Sequence, residues 1–128
     1  MKISKRQIDA VLGLPGSKRY EHFIKVAVDQ RSVWGLYAEG WALAGTAEGG
    51  PVFPIWPARD YAEICAVAEW QGYQPREIEM DDLLEALLPS LRDRKTKLGV
   101  FYTPKDKGIL PDIDQFEGDI RAELEKVE

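Results

Sequence analysis

One cysteine, Cys65, and one histidine, His22, are the only residues of their kinds in the 128-residue sequence. Two such ligands are too few for a zinc site of the usual cysteine and histidine type, and a lone histidine leaves little room for histidine-based triads. A lone cysteine forms no internal disulfide and fits a reducing compartment. No apolar run approaches the ~20 residues that a spanning helix requires. The start, Met1-Lys2-Ile3-Ser4-Lys5-Arg6-Gln7, has a positive flank but no apolar core behind it, so no secretory leader is expected. These absences point to a cytoplasmic protein with no membrane partner. A net charge of −5 and a pI near 5.0 argue against nucleic acid, whose binding draws on many phosphate contacts. The charge is unevenly spread: residues 1–31 carry +4 and the remainder −9. Such asymmetry can steer a partner, and it is also what a solvated helical face gives by chance, the reading preferred here.

What the sequence does have is concentrated. The stretch Val33 to Pro57 holds three of the four tryptophans and five of the eleven glycines. Apolar runs of period two alternate there with glycine turns: Val33–Tyr37, then Trp41–Thr46, then Pro51–Trp56, which reads as a three-strand meander. Pro54 suggests an edge position or a bulge in the third strand.

Helical patterns flank the meander. Ser4 caps a first helix with Gln7 placed for a capping box and Ile3 for a staple onto Ile8; Gly13 and Pro15 end it. Ser17 is read as the cap of a second helix with the stripe Tyr20, Phe23, Ile24, Ala27 and Val28. Pro57 opens a third, expected to run from Ala58 to Gln71 with Tyr61, Ile64, Cys65 and Ala68 inward. A short strand is expected over Arg76–Glu79. The next helix carries Leu83, Leu84, Leu87, Leu88 and Leu91, with Pro89 kinking or breaking it. Leu98–Tyr102 reads as a last strand, and Asp112 as the cap of a helix with Ile113, Phe116, Ile120, Leu124 and Val127. The sum is one α+β domain over residues 1–128: a small, mostly antiparallel sheet, the meander plus a later strand, packed with about five helices.

No constellation of residues names a reaction. Ser17 lacks the second glycine of a nucleophile elbow and leads into a helix as its cap. His22 falls off its helix's apolar stripe and reads as a surface residue. Cys65 lies on a core stripe, where a thiol behaves as a small hydrophobe. Asp112-Ile113-Asp114 fails as a calcium loop, because Phe116 and Glu117 occupy its fifth and sixth positions. Gly45, Gly49 and Gly50 lack phosphate-loop spacing. No cofactor or metal is therefore expected.

The residues Val33-Trp34-Gly35-Leu36, Gly40-Trp41-Ala42, Pro54-Ile55-Trp56-Pro57, Tyr61-Ala62 and Glu69-Trp70, followed by Leu98-Gly99-Val100-Phe101, carry a resemblance. Over about Tyr20 to Leu124 the chain resembles the small bacterial proteins called domain of unknown function 2750. That resemblance implies a fold and no activity, and it offers no catalytic residues to carry over. A looser likeness is to the amino-terminal domain of SseB-type secretion-associated proteins, with Val52–Trp56 and Ala58–Ala68 in the strand–helix part and Leu98–Tyr102 as the return. The Phe-Thr usual there before the helix is Trp56-Pro57 here. The SseB likeness implies protein binding.

The expectation is a non-enzymatic module that binds another protein, or a second copy of itself as a homodimer, through exposed aromatic residues. Tyr37, Trp41 and Trp56 are its expected contacts, because aromatics bury large area at little entropic cost. Phe116, on the narrow last stripe with Ile113, Ile120 and Leu124, belongs to a second candidate surface, and that stripe serves equally well to close the core of the same chain. The alternative is an enzyme or small-ligand protein with a carboxylate-lined cleft, drawing on Asp60, Glu63, Asp81 or Asp82 with Arg59 or Arg76.

Overall fold

The computed structural model describes residues 3–45 and 50–127. Helix α1 (Lys5–Leu12) begins where the sequence places it, with the Gln7 amide donating to Ser4 Oγ at 3.2 Å. Helix α2 (Gly16–Gln30) follows and starts ahead of Ser17, its expected cap. Pro15 occupies the cap position and no side chain caps the helix, because proline's fixed φ already suits that entry. Four members of the stripe, Phe23, Ile24, Ala27 and Val28, are buried, and Tyr20 is half-buried. Arg19 is buried as well, which the pattern did not foretell. Its Nη1 donates to the Leu14 carbonyl at 2.8 Å, and its Nε has no partner.

The sheet differs from a meander. Strand β1 (Ser32–Tyr37) pairs antiparallel with β3 (Gln74–Glu79), while β2 (Val52–Ile55) pairs parallel with β4 (Lys97–Val100). A single antiparallel bridge, Trp34 to Trp56, joins the two ladders. The expected middle strand is reduced to two isolated bridges, Trp41 to Tyr37 and Ala44 to Val52; its expected end at Thr46 lies outside the described residues.

Pro54 supplies a physical reason for the break. Val52 exchanges backbone hydrogen bonds with Ala44, and Trp56 with Trp34, all at 2.8 Å. Residues alternate in the direction of their backbone groups, so Pro54 faces the same side and has no amide hydrogen to offer. It sits buried between two bridges, and its missing donor splits that side of β2 into separate contacts. The sequence reading of Pro54 as an edge position or a bulge agrees with this: β2 forms a ladder only with β4, and on its other side Pro54 itself makes no bridge.

The third helix is shorter than expected. Helix α3 (Arg59–Ile64) ends at Cys65, and a single 3₁₀ turn (Ala68–Trp70) follows. Ala68 is exposed, with φ of 52°, instead of lying on a core stripe. After β3 the chain is helical from 80 to 94, as α4 (Met80–Asp82), a π turn (Leu83–Leu87) and α5 (Leu88–Arg94). Pro89 accounts for the π turn, since an α-helix would direct its absent amide to the Glu85 carbonyl and push its ring against that group. The wider turn lets the Leu88 amide reach the Leu83 carbonyl instead, and Leu83, Leu88 and Leu91 are buried while Leu84 and Leu87 are half-buried. Neither the kink nor the break read from sequence was specific enough to foresee this.

Helix α6 (Ile113–Val127) closes the core from the other side against α2, with Phe116 and Ile120 fully buried. Its outer face is tied to α5 by Arg92, which reaches Asp114 at 2.8 Å and Glu117 at 2.7 Å. Those hydrogen bonds from Arg92, and then from Arg121, hold the Glu117 carboxyl below its usual range. Counting 80–94 once, the described residues form five helices and two small sheets, an α+β arrangement. None of these helices is long and apolar enough to cross a membrane.

Candidate functional site

Of the four aromatic residues expected on a binding surface, two are in the core. Trp56 has no exposed surface; its Nε1 donates to the Tyr102 carbonyl at 2.9 Å and its ring meets Trp70 edge-on at 5.9 Å. Phe116 is equally buried, against Phe23 at 5.9 Å and Tyr20 at 6.5 Å. For Trp56 the expected exposure is corrected, because the bridge to Trp34 draws residue 56 inside the sheet; for Phe116 the surface role is corrected in favour of the other role open to its stripe, since α6 closes the core. Trp70 is also buried, whereas Trp34 and Trp41 are half-buried.

Tyr37 and Trp41 are brought together. The turn Ala38-Glu39-Gly40 forms where the sequence places it, with Glu39 at a left-handed φ of 59° and the Ala38 amide donating to the Gly40 carbonyl at 2.9 Å. This reversal lays the Trp41 ring over Gly35, where an added Cβ would stand 2.9 Å from it. Gly35 is thus a seat for an aromatic ring. Tyr37 meets Trp41 edge-on at 5.2 Å, and Trp41 leans on Phe53 at 5.5 Å. From β3, across the ladder from Gly35, Arg76 places its guanidinium 4.4 Å from the Tyr37 ring centre and 5.7 Å from that of Trp41. Such a stack contributes about 0.5–1 kcal/mol at a partly exposed site and leaves the guanidinium hydrogens free to donate.

This stack forms one wall of a groove of about 780 Å³, whose other wall is the outer side of the 80–94 helical run. Phe53 and Ile78 form the floor, and Leu43, 48% exposed, stands on the rim. Asp82, Ala86, Ser90 and Arg94 follow one another along the helical wall. Leu43 and Arg94 were not foreseen as site residues. The four-residue spacing of the wall positions was the available signal, hidden because leucines dominate the same helix.

The carboxylates of the alternative reading do not converge. Asp82 and Arg76 line this groove, Asp81 lines a separate polar hollow of about 530 Å³ with Glu79, Glu85 and Arg121, and Asp60 and Glu63 lie on α3. Glu63 pairs with Arg59 at 3.7 Å, both side chains well exposed. Among the described residues no group of three or more potential ligands is arranged for a metal ion.

His22 is half-buried rather than on the surface, between the rings of Tyr61 (6.5 Å) and Phe101 (6.4 Å), and burial lowers its pKa. Cys65 is 5% exposed, and its Sγ donates to the Tyr102 carbonyl at 3.3 Å. Burial pushes the thiol up to about 11, outweighing the lowering contact with Trp56. Because the folded value lies above the unfolded one, the contribution of this thiol to stability is intact below about pH 9 and is lost as pH rises toward 11. Titration with a thiol reagent at pH 8 is expected to leave Cys65 unmodified until the chain unfolds. Rapid labelling of the native protein would contradict its placement.

The fold and groove define a small α+β domain that presents an aromatic, arginine-bearing cleft beside one long helical wall. Residues 20–120 match the family described as "Protein of unknown function (DUF2750)". The chain belongs to that family, as the spaced tryptophans implied. No match is found among curated proteins.

Proposed function

We infer that this chain is a non-enzymatic binding module whose groove between the Tyr37–Trp41–Arg76 stack and the 80–94 run takes a helical segment of a protein. The observation that carries this reading is the half-buried Tyr37–Trp41 pair, crossed by Arg76 and continued by the exposed Leu43 on the rim. Aromatic rings already held by packing lose little entropy on binding, and an apolar floor with charged ends is the usual form of a helix-accepting groove. The volume lies within the range of specific binding clefts, about 300–1,000 Å³. A helix fits better than a small polar substrate because the groove is open along the full helical wall.

Leu43→Asp separates binding from folding. With about half its surface in water, Leu43 is expected to change stability by no more than about 0.5 kcal/mol when replaced, while a carboxylate on the rim desolvates badly against an apolar partner. Peptides selected from a displayed random library on the wild-type chain are expected to be amphipathic and to lose binding to Leu43→Asp. Selected peptides that bind both proteins equally would place the contact elsewhere.

A further inference from the structure

We propose that the helix accepted by this groove is the same 80–94 run of a second copy, packed antiparallel about a two-fold axis; the proposal rests on the groove reading above. Along the groove the wall reads Asp82, Ala86, Ser90, Arg94: an acid, two small residues and a base at intervals of four. Asp82, Ala86 and Arg94 are exposed and Ser90 is half-exposed. That order is complementary to itself when reversed. In an antiparallel pair crossing midway between Ala86 and Ser90, Asp82 of one copy faces Arg94 of the other, Ala86 faces Ser90, and both contacts occur twice. An isologous interface requires this reciprocity, residue i on j and j on i.

The charges support the same arrangement. Among the described residues neither Asp82 nor Arg94 has a side-chain ion-pair or hydrogen-bond partner in its own chain, whereas Arg92, on the side of α5 facing α6, holds both Asp114 and Glu117. The base in the last turn that faces α6 is satisfied internally; the base that faces the groove is left for something outside. The two small side chains at the crossing let helix axes approach closely, as ridge-and-groove packing demands. Leu87 on the wall and Leu43 on the rim flank the crossing with apolar surface. The π turn sets this geometry. By widening the helix ahead of Pro89 it keeps Leu83 and Leu88 both inward, so that Ala86 and Ser90 remain outward.

The test is sedimentation velocity of the full chain over about 1 µM to about 1 mM, the range in which an interface of modest size associates. It is run on wild type, Asp82→Arg, Arg94→Asp and the double variant, with circular dichroism confirming that each folds. Wild type is expected to show a monomer–dimer equilibrium. Each single reversal is expected to weaken association by at least about tenfold, because symmetry turns two attractions into two repulsions. The double variant is expected to recover to within about threefold of wild type, since both contacts are restored with their signs exchanged.

If a reversal impairs folding, Asp82→Asn and Arg94→Gln supply the milder comparison, each weakening association without rescue in combination. A double variant as weak as either single, a dimer indifferent to all of these changes, or a wild type monomeric throughout would overturn the proposal. A monomeric wild type that still binds library peptides, and loses them on Leu43→Asp, would leave the groove reading standing and remove only the second copy as its occupant.

Discussion

Trp56→Ala is expected to cost about 3–5 kcal/mol, the range for truncating a large buried aromatic side chain, which is a large share of the roughly 5–15 kcal/mol of a typical domain. Three effects combine. The indole has no exposed surface, so its removal leaves a void between Trp70 and the bridge at Trp34. The Tyr102 carbonyl loses the Nε1 donor at 2.9 Å and keeps only the weaker Cys65 thiol at 3.3 Å. The bridge that joins the two sheets passes through residue 56 itself and then lies against a cavity. Trp56→Phe retains a ring and is expected to cost less than half as much. Thermal unfolding of both variants measures the difference; an alanine variant as stable as wild type would return Trp56 to the surface role that its sequence suggests.

Gly99→Ala is the second large effect. A Cβ at position 99 would stand 2.6 Å from the Tyr102 ring and 2.7 Å from a methyl carbon of Val52, both buried. Real Cβ atoms do not approach so closely, so the parallel ladder between β2 and β4 or the Tyr102 ring must move. Overpacking of this kind costs about 1–3 kcal/mol and sometimes more. The expected result is a fall in denaturation midpoint with a largely unchanged m-value. A paired change, Gly99→Ala with Val52→Ala, relieves one of the two clashes and is expected to recover part of the loss. No loss in the single variant would contradict the close packing of β4.

The contrast between these core positions and the groove shows which parts of the molecule were legible in its sequence. The helices at 5–12, 16–30 and 113–127 follow from three-and-four periodicity and end signals close to their observed bounds. The four core residues of α2 from Phe23 to Val28 are those that the period selects. Sheet topology was not legible. Periodicity reports that Val33–Tyr37 and Pro51–Trp56 are strands, yet partner choice depends on contacts distant in sequence, here β1 with β3 and β2 with β4. The meander was the simplest arrangement because its turns are local, and Pro54 opposed it by lacking the amide that a continuous middle ladder would use.

Aromatic burial was illegible for a related reason. Trp41 and Trp56 look equivalent in composition and in the period-two pattern. One is half-buried because it rests on Gly35 from outside the sheet; the other is enclosed because it bridges the two sheets. Arg19 shows the converse, a buried guanidinium that side-chain polarity alone assigns to solvent. Its carbonyl contact to Leu14 depends on how α1 turns back into α2, which no spacing rule encodes. The groove itself was half-legible: Tyr37 and Trp41 were named, while Leu43 and Arg94 emerged only when the 80–94 run was placed beside them.

Site-specific photo-crosslinking in cells of the native source tests the central claim, that this groove is the contact surface. A benzophenone side chain is placed at position 43 or, for comparison, at 127, where Leu43 and Val127 are similarly exposed at 48% and 53%. Position 43 is expected to give a discrete adduct that disappears when Arg94→Asp is added on the opposite wall, and position 127 is expected to give none. Equal adducts from both positions, or an adduct at 43 indifferent to Arg94→Asp, would contradict the account.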